Sequence, residues 1–542
     1  MRIQAVAYHF GAGEITDAYW TVFNGVIMAL FLVGEECIQP AFLPVFIEDS
    51  EKNGEKHAWR FASTVINAQF LVLAMTVCFL MLFPGKIVDF LTGWGSADAS
   101  PWFTDEAAAL KLGTGTGFLR LMAPALVGFS LGSLTFILLN ARKKFFLASL
   151  GEGSWRAIFI AAVVVLGAER FLGLWALPLG VVAGSVAKIG THLPGLFRQL
   201  RHYRPVLAPG SPQFRRFLLL IAPLIAGSVF AKVRDNFNQI WVLGDLEESG
   251  LITVNMMGRM FTDTLGFLVP YALSVGMFPY LCEMVDRGER KGIGKLLANS
   301  SRLMIFFFLP MAAVMGVAAV PLTRLLFEMG KLKVSDAELV GLVTACYALA
   351  LPAYGVERVM MKGFFSNKNT VAPFLAGLLW SAVSMGTCWL MVVRMGWQGT
   401  DALLVVSLAY ACTRILKAIT LTVVLKRTVP MLPFGEVAVF ALRVLALTTV
   451  CVFAAWGAQK GMGALLPLAG CSGMMLKARL GAHLCVIGVA ATTAFLLSAR
   501  LLRMEELGTV VATVRGKLSI VLDKVLRRRR PSDHLDSPPG RH

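Results

Sequence analysis

Residues 300–323 read SSRLMIFFFLPMAAVMGVAAVPLT, with Arg302 the only charge among them. As an α-helix this stretch is about 36 Å long, more than a hydrocarbon core of about 30 Å requires. It predicts a membrane-spanning helix, and similar apolar runs extend outward from it in both directions. They fall near 17–38, 60–84, 115–139, 147–168, 172–194, 217–243, 250–282, 338–361, 371–394, 401–425, 436–457 and 480–502, which makes thirteen spans with the first. Residues 1–11 form a further amphipathic stub without the features of a signal peptide. Composition agrees: 56% of the 542 residues are hydrophobic and 15% charged, against about 25% charged in soluble domains. The fold class expected is an all-α polytopic membrane protein.

The formal charge of +18 is carried mostly by loops. Lys52/Lys56, Arg142/Lys143/Lys144, Arg198 to Arg216, Arg287 to Lys295, Lys362/Lys368 and Lys426/Arg427 occupy alternate loops, whereas 88–110 and 244–249 contain no Lys or Arg. Loops near 324–337, 395–400 and 458–479 are thin or mixed. This alternation puts the basic set, the Arg527–Arg530 tail and both termini in the cytoplasm. The partner of these cations is the headgroup layer of membrane lipids, not nucleic acid. Beyond Arg503 a basic amphipathic helix over 507–526 and a disordered end are expected.

An internal repeat organises the chain. Phe42-Leu43-Pro44, Glu48 and Gly54-Glu55-Lys56 precede an apolar span that ends in Pro84 to Phe90, and Phe278-Pro279, Glu283 and Gly288-Glu289-Arg290 precede one that ends in Pro321 to Phe327. Six helices separate the copies, an even number, so the halves share orientation. That implies a pseudo-two-fold axis along the membrane normal with a substrate site between the halves.

Ionisable residues inside spans are costly and face a cavity or a partner. Lys232, Arg234, Asp235, Asn236, Asn238 and Gln239 together cover more than one helix face, so part of the group must meet water or another helix. Arg234 and Asp235 read either as an interface pair or as residues with a substrate or coupling-ion role. Arg259 and Asp263, at i and i+4, can pair on one face. Glu35 and Glu36 interrupt one span and Glu357-Arg358 another. Arg120, Lys188, Arg414, Lys417 and Arg443 complete the set, the last near enough to an end to snorkel. Cations outnumber anions, which calls for an anionic guest. No nucleotide, zinc-protease or serine-hydrolase motif is present, and the nine cysteines and seven histidines show no ligand spacing. No enzyme, cofactor or metal centre is expected. Energy would come from an ion gradient, the membrane potential or a separate subunit.

Gly11-Ala12-Gly13 followed by Thr16-Asp17-Ala18-Tyr19-Trp20 is similar to the GAG..TDAFF segment of the MurJ/MviN lipid II flippases. Gly34-Glu35 and Ala41 to Phe46 resemble that family's AEGA…AFVPV stretch, and Gly258-Arg259-Met260 its ADRL motif. Pro279-Tyr280-Leu281, Pro321 to Gly330 and Arg358 to Phe365 follow in the family's order. The resemblance implies a transporter of fourteen helices related to multidrug (MATE) and polysaccharide exporters. It has two six-helix lobes, at 1–200 and 201–430, then two additional helices at 431–503 and a cytoplasmic tail at 504–542. The first helix, of which only the end follows Met1, is expected to begin upstream.

The family's substrate is undecaprenyl-pyrophosphate-linked peptidoglycan precursor, flipped across the bacterial inner membrane, and arginine suits a pyrophosphate because its planar fork binds phosphate oxygens in pairs. Carried over position by position, the family's first-helix arginine falls at Arg2, its aspartate at Asp17, its AEGA glutamate at Glu35 and its helix-eight arginine at Arg259, the expected substrate-binding set. Arg234, Asp235, Asp263, Glu357 and Arg358 are the expected gating or ion-coupling residues. The two C-terminal helices imply a groove for the lipid tail. One departure stands out: the family's Arg-Arg pair is here Leu30-Phe31. Alternative readings are a flippase for another polyprenyl-linked oligosaccharide, a MATE-like multidrug or ion antiporter, or a scaffold for cell-wall synthesis proteins.

Overall fold

The computed structural model describes residues 2–92, 94, 105–141, 144–168, 171–244, 246, 248–328, 331–367, 369, 371–429, 434–468, 471 and 473–508, and every regular element among them is helical. The first part of the chain forms α1 (Arg2–Phe10), α2 (Glu14–Val22), α3 (Ala29–Asn53), α4 (Glu55–Leu82), α5 (Pro84–Thr92), α6 (Asp105–Met122), α7 (Ala125–Ala141), α8 (Phe145–Leu166) and α9 (Ala176–Leu200). The second forms α10 (Pro212–Asn236), α11 (Val242–Gly244), α12 (Leu251–Asp286), α13 (Arg290–Phe327), α14 (Val334–Ala348), α15 (Leu351–Ser366), α16 (Val371–Cys388) and α17 (Gly399–Lys426). Two long helices, α18 (Phe434–Leu465) and α19 (Gly473–Leu501), follow. The basic tail and most of the expected 507–526 helix lie outside the described residues.

Nine helices among the described residues are long and apolar enough to cross a membrane, or ten if α6 and α7 are one bent span. Their polarity is inverted relative to a soluble bundle. On α4, Phe70, Leu71, Met75, Phe79 and Leu82 are exposed whereas Ala58, Trp59 and Ala62 are buried. An apolar outer surface of this kind is what lipid solvates, since each helix satisfies its own backbone.

Two expected spans are not straight rods. Residues 115–139 are divided between α6 and α7, which bend by 43° at Ala123-Pro124, because a proline lacks the N–H that would continue the ladder. Residues 338–361 are likewise interrupted at Leu349-Ala350, just before Pro352. The two breaks fall in corresponding places of the sequence repeat. So do the turns after α3 and α12, which use Gly54 (φ 82) and Gly288 (φ 71), a left-handed conformation that glycine adopts without strain. The expected loop from 195 is helical as far as Leu200.

The apolar core is forked. One cluster joins both parts of the chain, with Tyr19, Trp20 and Phe118 from the first and Met257, Tyr347 and Tyr410 from the second. Toward the cation-rich loops it gives way to two separate clusters, one around Phe42, Phe61 and Phe217 and one around Leu281, Phe308 and Phe364. α10 stays with the first arm at its start and reaches the second at its end. Helices α18 and α19 pack on α13 through Phe306, Leu447 and Phe495.

Candidate functional site

At the cation-poor end the two parts of the chain are latched. Asp17 is 2% exposed and its carboxylate accepts hydrogen bonds from the Gly250 N–H (2.6 Å), the Thr253 N–H (3.0 Å) and the Thr253 hydroxyl (2.7 Å). These donors are at the start of α12, whose first N–H groups have no partner within the helix and favour a negative charge. Asp17 therefore caps a helix of the other half. The Lys331 N–H donates to the Tyr8 carbonyl at 2.9 Å and the Trp94 indole to the Gly244 carbonyl at 2.8 Å. Gly250 (φ 94) lies so close to Ala12 that a built Cβ would stand 3.3 Å from that of Ala12.

Further in, two widened turns face each other. The helix between α2 and α3 loosens to a π-turn over Phe23–Met28, and that between α10 and α11 over Phe237–Trp241. The Asn236 amide donates to the Gly25 carbonyl at 2.9 Å, and a side chain at Gly25 would strike Ile240. Such bulges recur at functional sites because they free backbone groups.

Beyond these turns is a polar cluster built from α10, α12, α15, α16 and α17. Arg234 binds Asp235 Oδ1 through Nε (2.9 Å) and Nη2 (2.7 Å), and donates to Ser381 through Nη1 (3.3 Å). Arg259 lies 3.0 Å from Asp263 and 3.9 Å from Asp235, with its guanidinium 4.7 Å from the centre of the Tyr410 ring. Gly258 lets α12 approach α14 closely enough to put it there, since a Cβ would meet Val343 at 2.6 Å. Glu357, 4% exposed, pairs with Arg414 and Lys417, each at 2.7 Å, and Arg414 also stacks on Tyr354 at 4.0 Å. Four cations thus meet three carboxylates. The four cations and Asp235 line, with Asn238, Trp380 and Ser384, a cavity of about 30 Å³, room for a water or two or a small ion. Among the described residues Asn238 Oδ1 has no hydrogen-bond partner.

Arg2 is elsewhere. Its guanidinium is boxed by rings, 4.7 Å from Phe23, 5.3 Å from Trp155 and 5.7 Å from Trp20. Among the described residues no carboxylate pairs with it. The buried indole N–H of Trp20 beside it is also without an acceptor.

The structure therefore brings Arg234, Asp235, Arg259 and Asp263 together, and sets Glu357 beside them. Arg2 and Asp17 stand apart from that cluster, each with other partners. Arg358 is half-buried on α15, and it is Arg414 and Lys417, 57 and 60 residues further on, that neutralise Glu357, not this neighbour. The side chain of Glu35 lies outside the described residues. Tyr354, Tyr410 and Ser381 were not expected at the site. The repeat of Tyr410, Arg414 and Lys417 at i, i+4 and i+7 is the signal that reveals one polar face of α17.

A profile of the lipid II flippase MurJ family matches residues 6–468. The chain belongs to the lipid II flippase MurJ family. Among curated relatives, the probable lipid II flippase MurJ of Rhizobium tropici is 25% identical over 380 residues, covering 69% of this chain and 68% of the relative. The lipid II flippase MurJ of Burkholderia cenocepacia is 24% identical over 382 residues, covering 69% and 70%. Among solved structures, a lipid II flippase MurJ in an inward closed conformation superposes with a TM-score of 0.69 at 19% identity, over 92% of this chain and 96% of that one. An inward-facing MATE multidrug transporter of the MOP superfamily follows at 0.63 and 12% identity, over 79% and 93%. The fold is thus shared by MurJ and MATE proteins.

Proposed function

We propose that this chain moves lipid II, a polyprenyl-pyrophosphate-linked peptidoglycan precursor, across a bacterial inner membrane by alternating access. Family membership supports the class of cargo. The observation that carries the reading to the site is the surplus of buried cations: Arg2 without a carboxylate partner among the described residues, and Arg259 in a cluster of four cations and three carboxylates. Such groups are expensive in a membrane unless an anion uses them. In this reading Arg2 of the first lobe and Arg259 of the second are the diphosphate ligands, while the glycan stays in the forked space and the tail in lipid.

A groove of about 770 Å³ on the second lobe suits that tail. Ile305, Leu309, Val356, Ile419 and Phe440 line it, with Arg302 and Lys426 among its polar residues. In this reading residues 1–200 and 201–430 are the lobes, 431–503 forms the groove's outer wall, and the cation-rich loops and both termini are cytoplasmic. The Asp17 latch is then the outer gate, and Asp235, shared between Arg234 and Arg259, couples the guest to α10. Any driving force enters through the membrane potential or an ion gradient.

Depletion of the protein should leave newly made lipid II out of reach of a membrane-impermeant probe on the outer leaflet; unchanged accessibility would overturn the assignment. Complementation by Arg259→Ala at full strength would argue for a scaffold instead. One observation favours a second cargo: Leu30-Phe31 replaces the family's paired arginines. Loss of a different polyprenyl-linked glycan in a deletion strain, with lipid II flipping intact, would select that reading.

A further inference from the structure

We propose that Lys188, paired with Glu152, is a positioning residue for Arg2, fixing the ring cage around it. The inference rests on the reading of Arg2 as a diphosphate ligand. Ser185, Lys188 and His192 share one face of α9 at i, i+3 and i+7. Glycines opposite make room for each of the three. A Cβ at Gly128 would strike Ser185, one at Gly132 would stand 2.8 Å from Lys188 Cδ, and one at Gly151 would strike the His192 ring. The seam between α9 and its neighbours α7 and α8 is shaped around these polar side chains.

Lys188, 1% exposed, places Nζ 2.5 Å from Glu152 Oε1. The other oxygen of Glu152 accepts from the Trp155 indole N–H at 3.2 Å. Trp155 is a wall of the Arg2 cage, 5.3 Å from the guanidinium. An unbroken chain of contacts thus runs Lys188, Glu152, Trp155, Arg2. His192 closes the seam further along α9, its ring between the Thr135 hydroxyl (2.8 Å) and the Ala148 carbonyl (3.1 Å). On its other side the Lys188 ammonium lies 5.1 Å from the centre of the Phe31 ring. Position 31 is where the related pattern has arginine, so a cation remains beside that position but is delivered from α9.

Stability alone does not account for the pair, because well-packed apolar residues in place of a buried ion pair are often neutral or stabilising. What apolar residues cannot supply is the acceptor for the Trp155 indole N–H, which orients one wall of the Arg2 cage.

The test uses the full chain in lipid nanodiscs and a fluorescent short-chain polyprenyl diphosphate. Lys188→Met/Glu152→Met keeps the charge balance and nearly the volume and removes the acceptor of the Trp155 indole; it should bind the probe about tenfold more weakly with an unchanged unfolding temperature. Lys188→Met/Glu152→Gln, which keeps an acceptor oxygen for the indole without the lysine that fixes it, should lose less, about threefold. Parent-like affinity in the Met/Met variant, or an equal loss in both double variants, overturns the proposal. Should the double variants not fold, Trp155→Phe cuts the Glu152 link and keeps the ring. It should weaken binding about threefold, and unchanged binding overturns the proposal. Arg2→Ala is the separate control: undiminished binding there sinks the reading of the site itself.

Discussion

Asp17 collects three donors from a helix that begins more than 230 residues later, and its role differs accordingly from that of the arginines. Loss of a helix cap costs about 1–2 kcal/mol, so Asp17→Ala should lower the unfolding temperature in detergent and expose the start of α12 to cysteine labelling, while Asp17→Asn, which keeps one acceptor oxygen, should lose less. Equal stability of all three proteins would refute the latch. Glu357 makes a different prediction. Removing one member of a buried ionic group leaves its partners uncompensated, at about 3–5 kcal/mol. Glu357→Gln should therefore destabilise strongly, and Lys417→Met added to it should recover part of the loss, because the pair of changes removes one of the two stranded cations. The sequence makes the Arg259/Asp263 pair readable because both ends are on one helix, four residues apart. It cannot show that Glu357 answers to Arg414 and Lys417, since that depends on how α15 and α17 pack.

Among elements, the long apolar helices are legible from hydropathy alone: α13 contains the whole of 300–323, and α4 most of 60–84. The breaks are harder. Pro124 and Pro352 are visible, yet Pro310 and Pro321 lie inside a continuous α13, because a proline interrupts a helix only where neighbours do not hold it straight. The π-turns leave no hydropathy signal, being one extra residue in a turn. At the cation-rich end α3 and α10 are clasped by Arg216 on Glu48 (2.7 Å) and by Asp49, which accepts from Asn53 (2.8 Å) and Gln213 (3.1 Å) and meets His57 at 2.9 Å. Burial pushes the Asp49 carboxyl up, but these hydrogen bonds outweigh it and hold it below the ordinary carboxylate range. A depressed carboxylate stabilises the fold above its unfolded pKa and ceases to as pH falls through the folded value. The clasp should therefore loosen below about pH 4, seen as faster proteolysis of the 201–211 linker. In Asp49→Asn that step should vanish, and its persistence would assign the titration to another group.

The forked core gives the whole molecule its mechanical sense. One apolar cluster spans both halves at the cation-poor end, and the halves bury themselves separately at the other. Hydropathy could not reveal this, since a residue facing the other half of the chain and one facing lipid are equally apolar. Alternating access requires the joined end to part: the Asp17 bonds, the Lys331–Tyr8 link and the contact of Gly250 with Ala12 must all break while the arms close. The polar contacts sit on an apolar cluster that joins the same two parts, so opening must divide that cluster as well. A covalent bond there would stop the cycle. A built Cβ at Gly250 is 3.3 Å from that of Ala12, close to the spacing of a disulfide, about 3.5–4.5 Å. A side chain at Gly250, where φ is 94°, costs about 1–2 kcal/mol of strain and must also shift the Ala12–Gly13 backbone, which its Cβ would meet at 3.1 and 3.2 Å. Ala12→Cys/Gly250→Cys should thus cross-link under oxidation and lose flipping, regain it with reductant, and leave each single variant active. Full transport by the oxidised, cross-linked protein would show that this face never opens, and the cargo would then need another route past the latch.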